Sequence, residues 1–247
     1  MKIYVITLEK AKERQERIRR QFSEKGIDFE FVFGIDGRLL SQQEKDSLYD
    51  EKKSVSFYKW YRKGEMCGLT LGEIGCTLSH QLVYQKILDN KLKNAIVLED
   101  DVVIDDRFFE VVNLLNTTFR KKQNYVIRLD NEILRGGVLF KTTKMNDAFR
   151  VKQYIFNTCA AGYYIDNKSA ATMLSVNKPL FLISDEWNFF GMFVKLRSVN
   201  KCIVRQEAEK SYIWNNDSRR IINNTIFCKI IGKMKTFRRL LWAILFK

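Results

Sequence analysis

Glu99, Asp100 and Asp101 follow without interruption on the apolar run Ala95, Ile96, Val97 and Leu98. Three like charges at one strand end repel one another, so something cationic must offset them. In an α/β enzyme that cation is commonly a divalent metal holding a phosphorylated substrate. Alternate residues of a strand end point the same way, so Glu99 and Asp101 can face one ligand while Asp100 faces elsewhere. Two carboxylates on one side suit a hard cation, Mn²⁺ or Mg²⁺, acting as a Lewis acid on a departing diphosphate. The plainer alternative is a solvated turn whose acids cap a helix. Placement just beyond the carboxyl end of a strand, where open α/β sheets bind their ligands, favours the metal.

Three further groups have side chains suited to chemistry. Asp185 and Glu186 end an apolar run and precede Trp187. A carboxylate beside an aromatic platform suits sugar binding, and one of the pair can take a proton from an attacking hydroxyl; a simple helix start is the competing reading. His80 lies inside a helix that feeds into the acidic strand, as a packed or capping group or as a site group near the diphosphate. Arg14 and Arg17 follow the first strand and either meet an anionic nucleotide or form a solvated helix face.

The elements that must position these groups follow from periodicity. Ile3, Tyr4, Val5, Ile6 and Leu8 form a continuous apolar run, the pattern of a strand buried on both faces. A charged helix follows from Glu9, with Ile18 and Phe22 at helical spacing and Gly26 as its C-cap. Phe29–Phe33 is a second strand, closed by a turn at Gly34–Gly37. Strand, helix, strand opens a parallel α/β sheet. Ser41–Arg62 is polar and reads as a helix followed by a mobile loop. Thr70 and Glu73 form a capping box that starts a helix bearing Leu71, Ile74, Leu78 and Leu82. Tyr125–Leu129 is another strand, ending at Asp130. Gly136–Phe140 suggests a hairpin or bulge, Cys159–Ile165 a strand, and Asn167–Leu174 a helix.

Length and composition set the outer bounds. The 247 residues are 46% hydrophobic with one proline, enough for a sizeable core and too apolar for a disordered chain. The net charge of +14 calls for anionic partners. Much of it lies at the end of the chain: Ser218–Lys247 carries eight bases and no acid. Ile226, Phe227, Ile230, Ile231, Met234, Phe237, Leu240 and Leu241 recur there at three- and four-residue steps. That is the profile of a helix lying in an anionic membrane surface, the alternative being a core helix with a basic outer face. A nucleic-acid-binding protein would instead interleave bases with stacking aromatics across a groove, so nucleic acid is not expected. The five cysteines are odd in number, no pair has metal-ligand spacing, and there is one histidine. Reduced thiols in a cytosolic protein are expected, and a Cys/His zinc site is not. The chain opens on a strand, and no run reaches the roughly 18 apolar residues of a membrane span. A cytoplasmic protein, peripheral at the inner face of the membrane, is the expectation.

Taken together, several blocks resemble glycosyltransferase family 25, the bacterial lipooligosaccharide glycosyltransferases. They are the opening strand with Glu13-Arg14-x-x-Arg17, the block Phe29–Gly37 ending Gly-Ile-Asp-Gly, Glu73-Ile74-Gly75-Cys76-Thr77-Leu78-Ser79-His80, and Leu98-Glu99-Asp100-Asp101. Ala161-Gly162-Tyr163-Tyr164-Ile165 is a further, weaker match, with Gly162 where the family pattern has alanine. The resemblance implies a GT-A-type, Rossmann-like, mostly parallel sheet flanked by helices, a UDP-sugar donor with UDP-galactose ahead of UDP-glucose, a divalent metal and inversion. On that basis residues 1–215 form the catalytic domain; 216–247, beyond the resemblance, is the basic amphipathic tail read from its own pattern. Glu99 and Asp101 hold the metal. Thr7, Leu8, Arg14, Asp36, Gly37, His80 and Asp100 line the donor site. Asp185, then Glu186 or Asp130, deprotonates an acceptor hydroxyl on a lipid-linked oligosaccharide. The rival enzyme is a metal-dependent nucleotidyl- or phosphotransferase using the same acids.

Overall fold

The computed structural model describes residues 1–62, 68–130, 142–153 and 159–207. The expected turn at Gly136–Phe140 and the basic tail lie outside them. The described elements are β1 (Lys2–Thr7), α1 (Lys12–Glu24), β2 (Glu30–Phe33), α2 (Gln42–Leu48), α3 (Glu51–Arg62), α4 (Leu71–Asp89), β3 (Asn94–Glu99) and β4 (Val102–Ile104). They continue with α5 (Phe108–Phe119), β5 (Tyr125–Arg128), β6 (Thr142–Lys144), β7 (Arg150–Lys152), β8 (Gly162–Asp166), α6 (Asn167–Val176), α7 (Trp187–Phe190), β9 (Lys195–Val199) and β10 (Val204–Gln206).

Eight strands form one sheet in the order β2-β1-β3-β8-β5-β9-β7-β6. β1 lies parallel between β2 and β3, as the opening strand–helix–strand pattern requires. Most strands share that direction, but β8 runs against both β3 and β5, and β7 runs against β9 and β6. The sheet is covered on both faces, and β3 shows how. Ala95 and Val97 pack with Ile74, Leu78 and Ile87 of α4 and with Ala170 and Met173 of α6. Ile96 and Leu98 pack with Ile18 and Phe22 of α1 and with Phe108, Val111 and Leu115 of α5. A strand buried on both faces needs no polar alternation, which is why its run is apolar throughout until the acids.

Helix ends follow local chemistry. The Thr70 hydroxyl accepts from the Glu73 amide while the Glu73 carboxylate accepts from the Thr70 amide at 2.8 Å, the reciprocal box the sequence predicts. α1 ends at Glu24 with Lys25, not Gly26, as its C-cap; Gly26 follows at a φ of 60°, the left-handed conformation glycine adopts without cost. The segment 42–62 departs from expectation. It holds two helices, and where a mobile loop is expected the chain forms α3, packed through buried Tyr58 and partly buried Phe57 against Phe181 and Phe189.

Candidate active site

The turn after β2 and the first half of α4 are fitted together by two glycines. A Cβ on Gly37 would sit 1.8 Å from the Leu71 carbonyl oxygen, and one on Gly75 would sit 2.4 Å from the Gly37 nitrogen. Ser79 completes the joint: its Oγ accepts from the Ile35 amide at 2.9 Å and donates to the Gly75 carbonyl at 2.6 Å. The glycine and serine of the Glu73–His80 block therefore dock a loop onto a helix, and His80 follows on the face turned to the sheet. We expect Gly75→Ala to cost about 2–3 kcal/mol in chemical denaturation, because the clash is with backbone that cannot swing aside. Asp36, in this turn, accepts from Arg38 and from Lys10, and the Arg38 guanidinium ahead of Lys10 holds its carboxyl well below the usual range.

The three acids part company as the strand pleat demands. β1 and β3 are in register with Ile6 opposite Glu99, so Thr7 reaches the next residue. The Thr7 hydroxyl donates to Asp100 Oδ2 at 2.6 Å, Arg14 donates to Asp100 Oδ1 at 2.7 Å, and Arg17 donates to the Asp100 carbonyl at 2.9 Å. Arg17 also pairs with Glu207. Arg14 and Arg17 are thus turned inward onto the acidic turn and do not form a solvated face. The cation that offsets Asp100 is a guanidinium.

Glu99 and Asp101 share a different environment. β10 pairs antiparallel with β4, setting Gln206 opposite Val102. The Gln206 amide donates to Glu99 Oε2 at 3.4 Å and to Asp101 Oδ2 at 3.1 Å, so one nitrogen bridges both carboxylates. Arg14 approaches Asp101 only to 3.9 Å, and Asp101 Oδ1 is buried with no hydrogen-bond partner among the described residues. Burial, followed by the charge of Glu99, pushes the Asp101 carboxyl up to about 7. Two hard oxygen donors with an unsatisfied buried oxygen fit a divalent cation. On the other side of Glu99, its Oε1 lies 3.3 Å from His80 Nε2, and His80 Nδ1 lies 2.7 Å from the Tyr163 hydroxyl, itself 2.9 Å from that of Tyr84.

The remaining acids gather around Cys159. This residue takes a left-handed φ of 74°, uncommon for a side chain of its kind. Its amide donates to Asp185 Oδ2 at 3.1 Å, its carbonyl accepts from Trp187 Nε1 at 2.7 Å, and its thiol donates to Gln206 Oε1 at 3.5 Å. Cys159 therefore ties the loop before α7 to the glutamine that bridges Glu99 and Asp101. Burial pushes the Cys159 thiol up, and the charges of Asp130, Glu99 and Asp185 push it further. Asp185 is half-buried, whereas Asp130 and Glu186 are each only 4% exposed. Asp130 is paired with Arg128 at 2.7 Å, and burial, opposed by that arginine, lifts it to about 7.

Of the residues expected at the site, the structure thus joins Thr7, Arg14 and Asp100 in one cluster, Glu99, Asp101 and His80 in a second, and Asp185 and Asp130 through Cys159. Leu8 contributes its carbonyl, which accepts from Gln15 Nε2 at 2.9 Å. Asp36 and Gly37 sit on the turn docked to α4, and Glu186 is the N-cap residue of α7. Gln206, Arg128, Tyr163 and Cys159 are the residues that sequence reasoning did not assign. Gln206 lies in no motif and reaches the acids only through the β4–β10 pairing. Among the described residues no helix is long and apolar enough to cross a membrane, and Cys76, Cys159 and Cys202 form no disulfide.

Comparison with known proteins gives a consistent family. Residues 1–187 match the model of glycosyltransferase family 25, described as an LPS biosynthesis protein. Lipooligosaccharide biosynthesis protein lic2B of Haemophilus influenzae is 25% identical over 178 residues, 70% of this chain and 62% of that protein. A glycosyltransferase 25 family member of Drosophila melanogaster is 28% identical over 181 residues, 72% of this chain and 28% of its own length. Procollagen galactosyltransferase 2 of Homo sapiens is 33% identical over 107 residues, 43% of this chain and 16% of that protein. The chain spans less than two thirds of the length of each of these relatives.

Proposed function

This chain belongs to glycosyltransferase family 25, and from that premise we propose that it transfers a hexose, galactose from UDP-galactose, with inversion onto a lipid-linked oligosaccharide. The observation that carries the reading is the pairing of Glu99 and Asp101 on one glutamine amide at a strand's carboxyl end, with a buried Asp101 oxygen left over. Glu99 and Asp101 are the residues that would hold Mn²⁺ or Mg²⁺. When bound, the cation supplies Lewis-acid neutralisation of the diphosphate leaving group. Arg14 and Thr7 fix Asp100 and with it the turn that aims the two neighbouring acids. The turn at Asp36 and Gly37, docked on α4 beside the ends of β1 and β2, faces the nucleotide in a GT-A arrangement.

Asp185 is the general base in this reading. It is the most exposed of the three candidate acids, and the Cys159 amide fixes one of its oxygens. Its carboxylate takes the proton of the acceptor hydroxyl as that oxygen attacks the anomeric carbon. Asp130 is deeper and committed to Arg128, and Glu186 is buried at a helix start. The names of the family model and of lic2B support an oligosaccharide of the lipopolysaccharide type as acceptor. The basic, amphipathic pattern of residues 216–247 supports a tail that holds the enzyme at an anionic membrane surface.

The purified protein with Mn²⁺ and a panel of sugar nucleotides tests the reading. We expect UDP-galactose to be hydrolysed slowly in the absence of acceptor, with release of UDP, and Asp185→Asn to lower transfer by about 10²–10⁴-fold. Release of pyrophosphate would instead identify a nucleotidyltransferase, and inertness towards every sugar nucleotide would end the transferase reading. Deleting residues after Ser218 is expected to abolish co-sedimentation with vesicles containing anionic lipid while sparing activity on a soluble acceptor. Unchanged sedimentation of the truncated protein would remove the tail from the scheme.

A further inference from the structure

We propose that Cys76, His80 and Glu99 form a binding site for a borderline-soft divalent cation of the Zn²⁺ class, distinct in chemistry from a site for Mn²⁺ or Mg²⁺. One ligand atom from each, the Cys76 sulfur, a His80 ring nitrogen and a Glu99 carboxylate oxygen, lie within 4.8 Å of one another. Cys76 and His80 stand four residues apart on α4, hence on one face of the helix, and Glu99 reaches them from the end of β3. His80 Nε2 and Glu99 Oε1 are 3.3 Å apart. That matches the edge of about 3.3 Å expected between two ligands each about 2.0 Å from a tetrahedral zinc. Thiolate, imidazole and carboxylate together are a zinc-type donor set, whereas Mg²⁺ and Mn²⁺ prefer oxygen alone. Three protein ligands leave a fourth position open.

The surroundings also suit a ligating histidine. Such an imidazole usually donates its other N–H to a fixed partner, which sets the tautomer. His80 Nδ1 lies 2.7 Å from the Tyr163 hydroxyl, which lies 2.9 Å from the Tyr84 hydroxyl. The Tyr163 hydroxyl can accept a hydrogen bond from Nδ1–H and donate its own to the Tyr84 hydroxyl. The Ser184 hydroxyl, 3.5 Å from the Cys76 sulfur, can donate to a thiolate. Binding releases one proton, that of the Cys76 thiol, to solvent. In the bound state the imidazole ligates through Nε2 and carries its proton on Nδ1. The sequence argues against a classical Cys/His zinc site, having one histidine and no cysteine pair at ligand spacing; here a carboxylate from a strand completes the set of three.

Glu99 would then belong to two sites. Its consequence for activity rests on the reading of Glu99 and Asp101 as holders of the transferase metal: zinc drawn to Cys76 and His80 takes Glu99 away and inhibits. The binding itself does not rest on that reading, and the experiments separate the two. X-ray absorption at the zinc edge of the untagged, reduced, full-length chain loaded with one equivalent of Zn²⁺ is expected to show one sulfur at about 2.3 Å and one imidazole at about 2.0 Å. The chain contains a single histidine, so an imidazole signature identifies His80 without any substitution. Co²⁺ is expected to give a thiolate charge-transfer band in the near ultraviolet that Zn²⁺ bleaches, that disappears in Cys76→Ser and that persists in Cys202→Ser. A zinc spectrum without imidazole, or a cobalt band that survives Cys76→Ser, would overturn the site. In the transfer assay with Mn²⁺, stoichiometric Zn²⁺ is expected to lower turnover at least about tenfold. If no sugar nucleotide reacts under any condition the transferase reading fails, while the absorption spectra still decide this one.

Discussion

Asp101→Asn is expected to lower sugar transfer by about 10³-fold or more and to leave the fold intact. The side chain is buried, its Oδ2 accepts from Gln206 at 3.1 Å, and its Oδ1 has no hydrogen-bond partner among the described residues. Asparagine keeps the shape and keeps an oxygen for Gln206, so packing against β10 survives. What disappears is one of two negative charges facing the same point. If those charges hold a divalent cation, losing one forfeits several kcal/mol of transition-state stabilisation, and about 4 kcal/mol corresponds to the stated factor. The same change removes a charge that burial and Glu99 both disfavour, so the metal-free variant should melt no lower than wild type. Circular dichroism and a thermal melt establish the fold, and initial rates across a Mn²⁺ titration establish the loss. Wild-type turnover at saturating Mn²⁺ would remove Asp101 from the site, and a lowered melting temperature would show that its role is structural.

Much of this site can be read in the sequence, and the part that cannot has a common cause. The strand that delivers the acids, the capping box at Thr70 and the turn before Asp36 depend on contacts between neighbours in sequence, and each leaves a local pattern. α5 does too: Phe108, Val111, Val112, Leu115 and Phe119 are all buried, at helical spacing that a longer window over 108–119 exposes. Cys76 and His80 likewise stand at the spacing of one helix face, but two ligands do not define a metal site until a third is known. The third, Glu99, arrives from the end of β3, against which α4 packs. Gln206 is the clearest case of a residue no local pattern could give. It is placed by a three-residue antiparallel pairing across about a hundred residues, in a strand with no alternation long enough to signal a face. The reversal of β8 between β3 and β5 is of the same kind: continuous apolar runs fit parallel and antiparallel burial equally. Arg14 and Arg17 are ambiguous in the sequence because a helix that follows a strand presents bases either to water or to the strand ends. The buried charge of Asp100 decides between them.

That charge gives the second large effect. Arg14→Met is expected to destabilise the protein by about 3–5 kcal/mol, the usual cost of leaving one partner of a buried ion pair uncompensated. Arg14 and Asp100 have side chains only 12% and 9% exposed, 2.7 Å apart, so water cannot take over the work of the guanidinium. For a chain of this size the melting temperature should fall by about 6–20 °C. The double variant Arg14→Met/Asp100→Asn should recover most of the loss. Methionine follows the arginine stem, and an amide at position 100 still accepts from the Thr7 hydroxyl without carrying a charge into the interior. Urea titrations of the four proteins close the cycle, with the midpoint moving and the slope unchanged if the native state stays compact. A single variant within about 0.5 kcal/mol of wild type would mean that Asp100 is neutralised by something other than Arg14. Recovery of stability without recovery of transfer is the expected pattern in the double variant. Arg14 also approaches Asp101 to 3.9 Å, so removing its charge strengthens the mutual repulsion of Glu99 and Asp101 and loosens the turn that must hold both on one side.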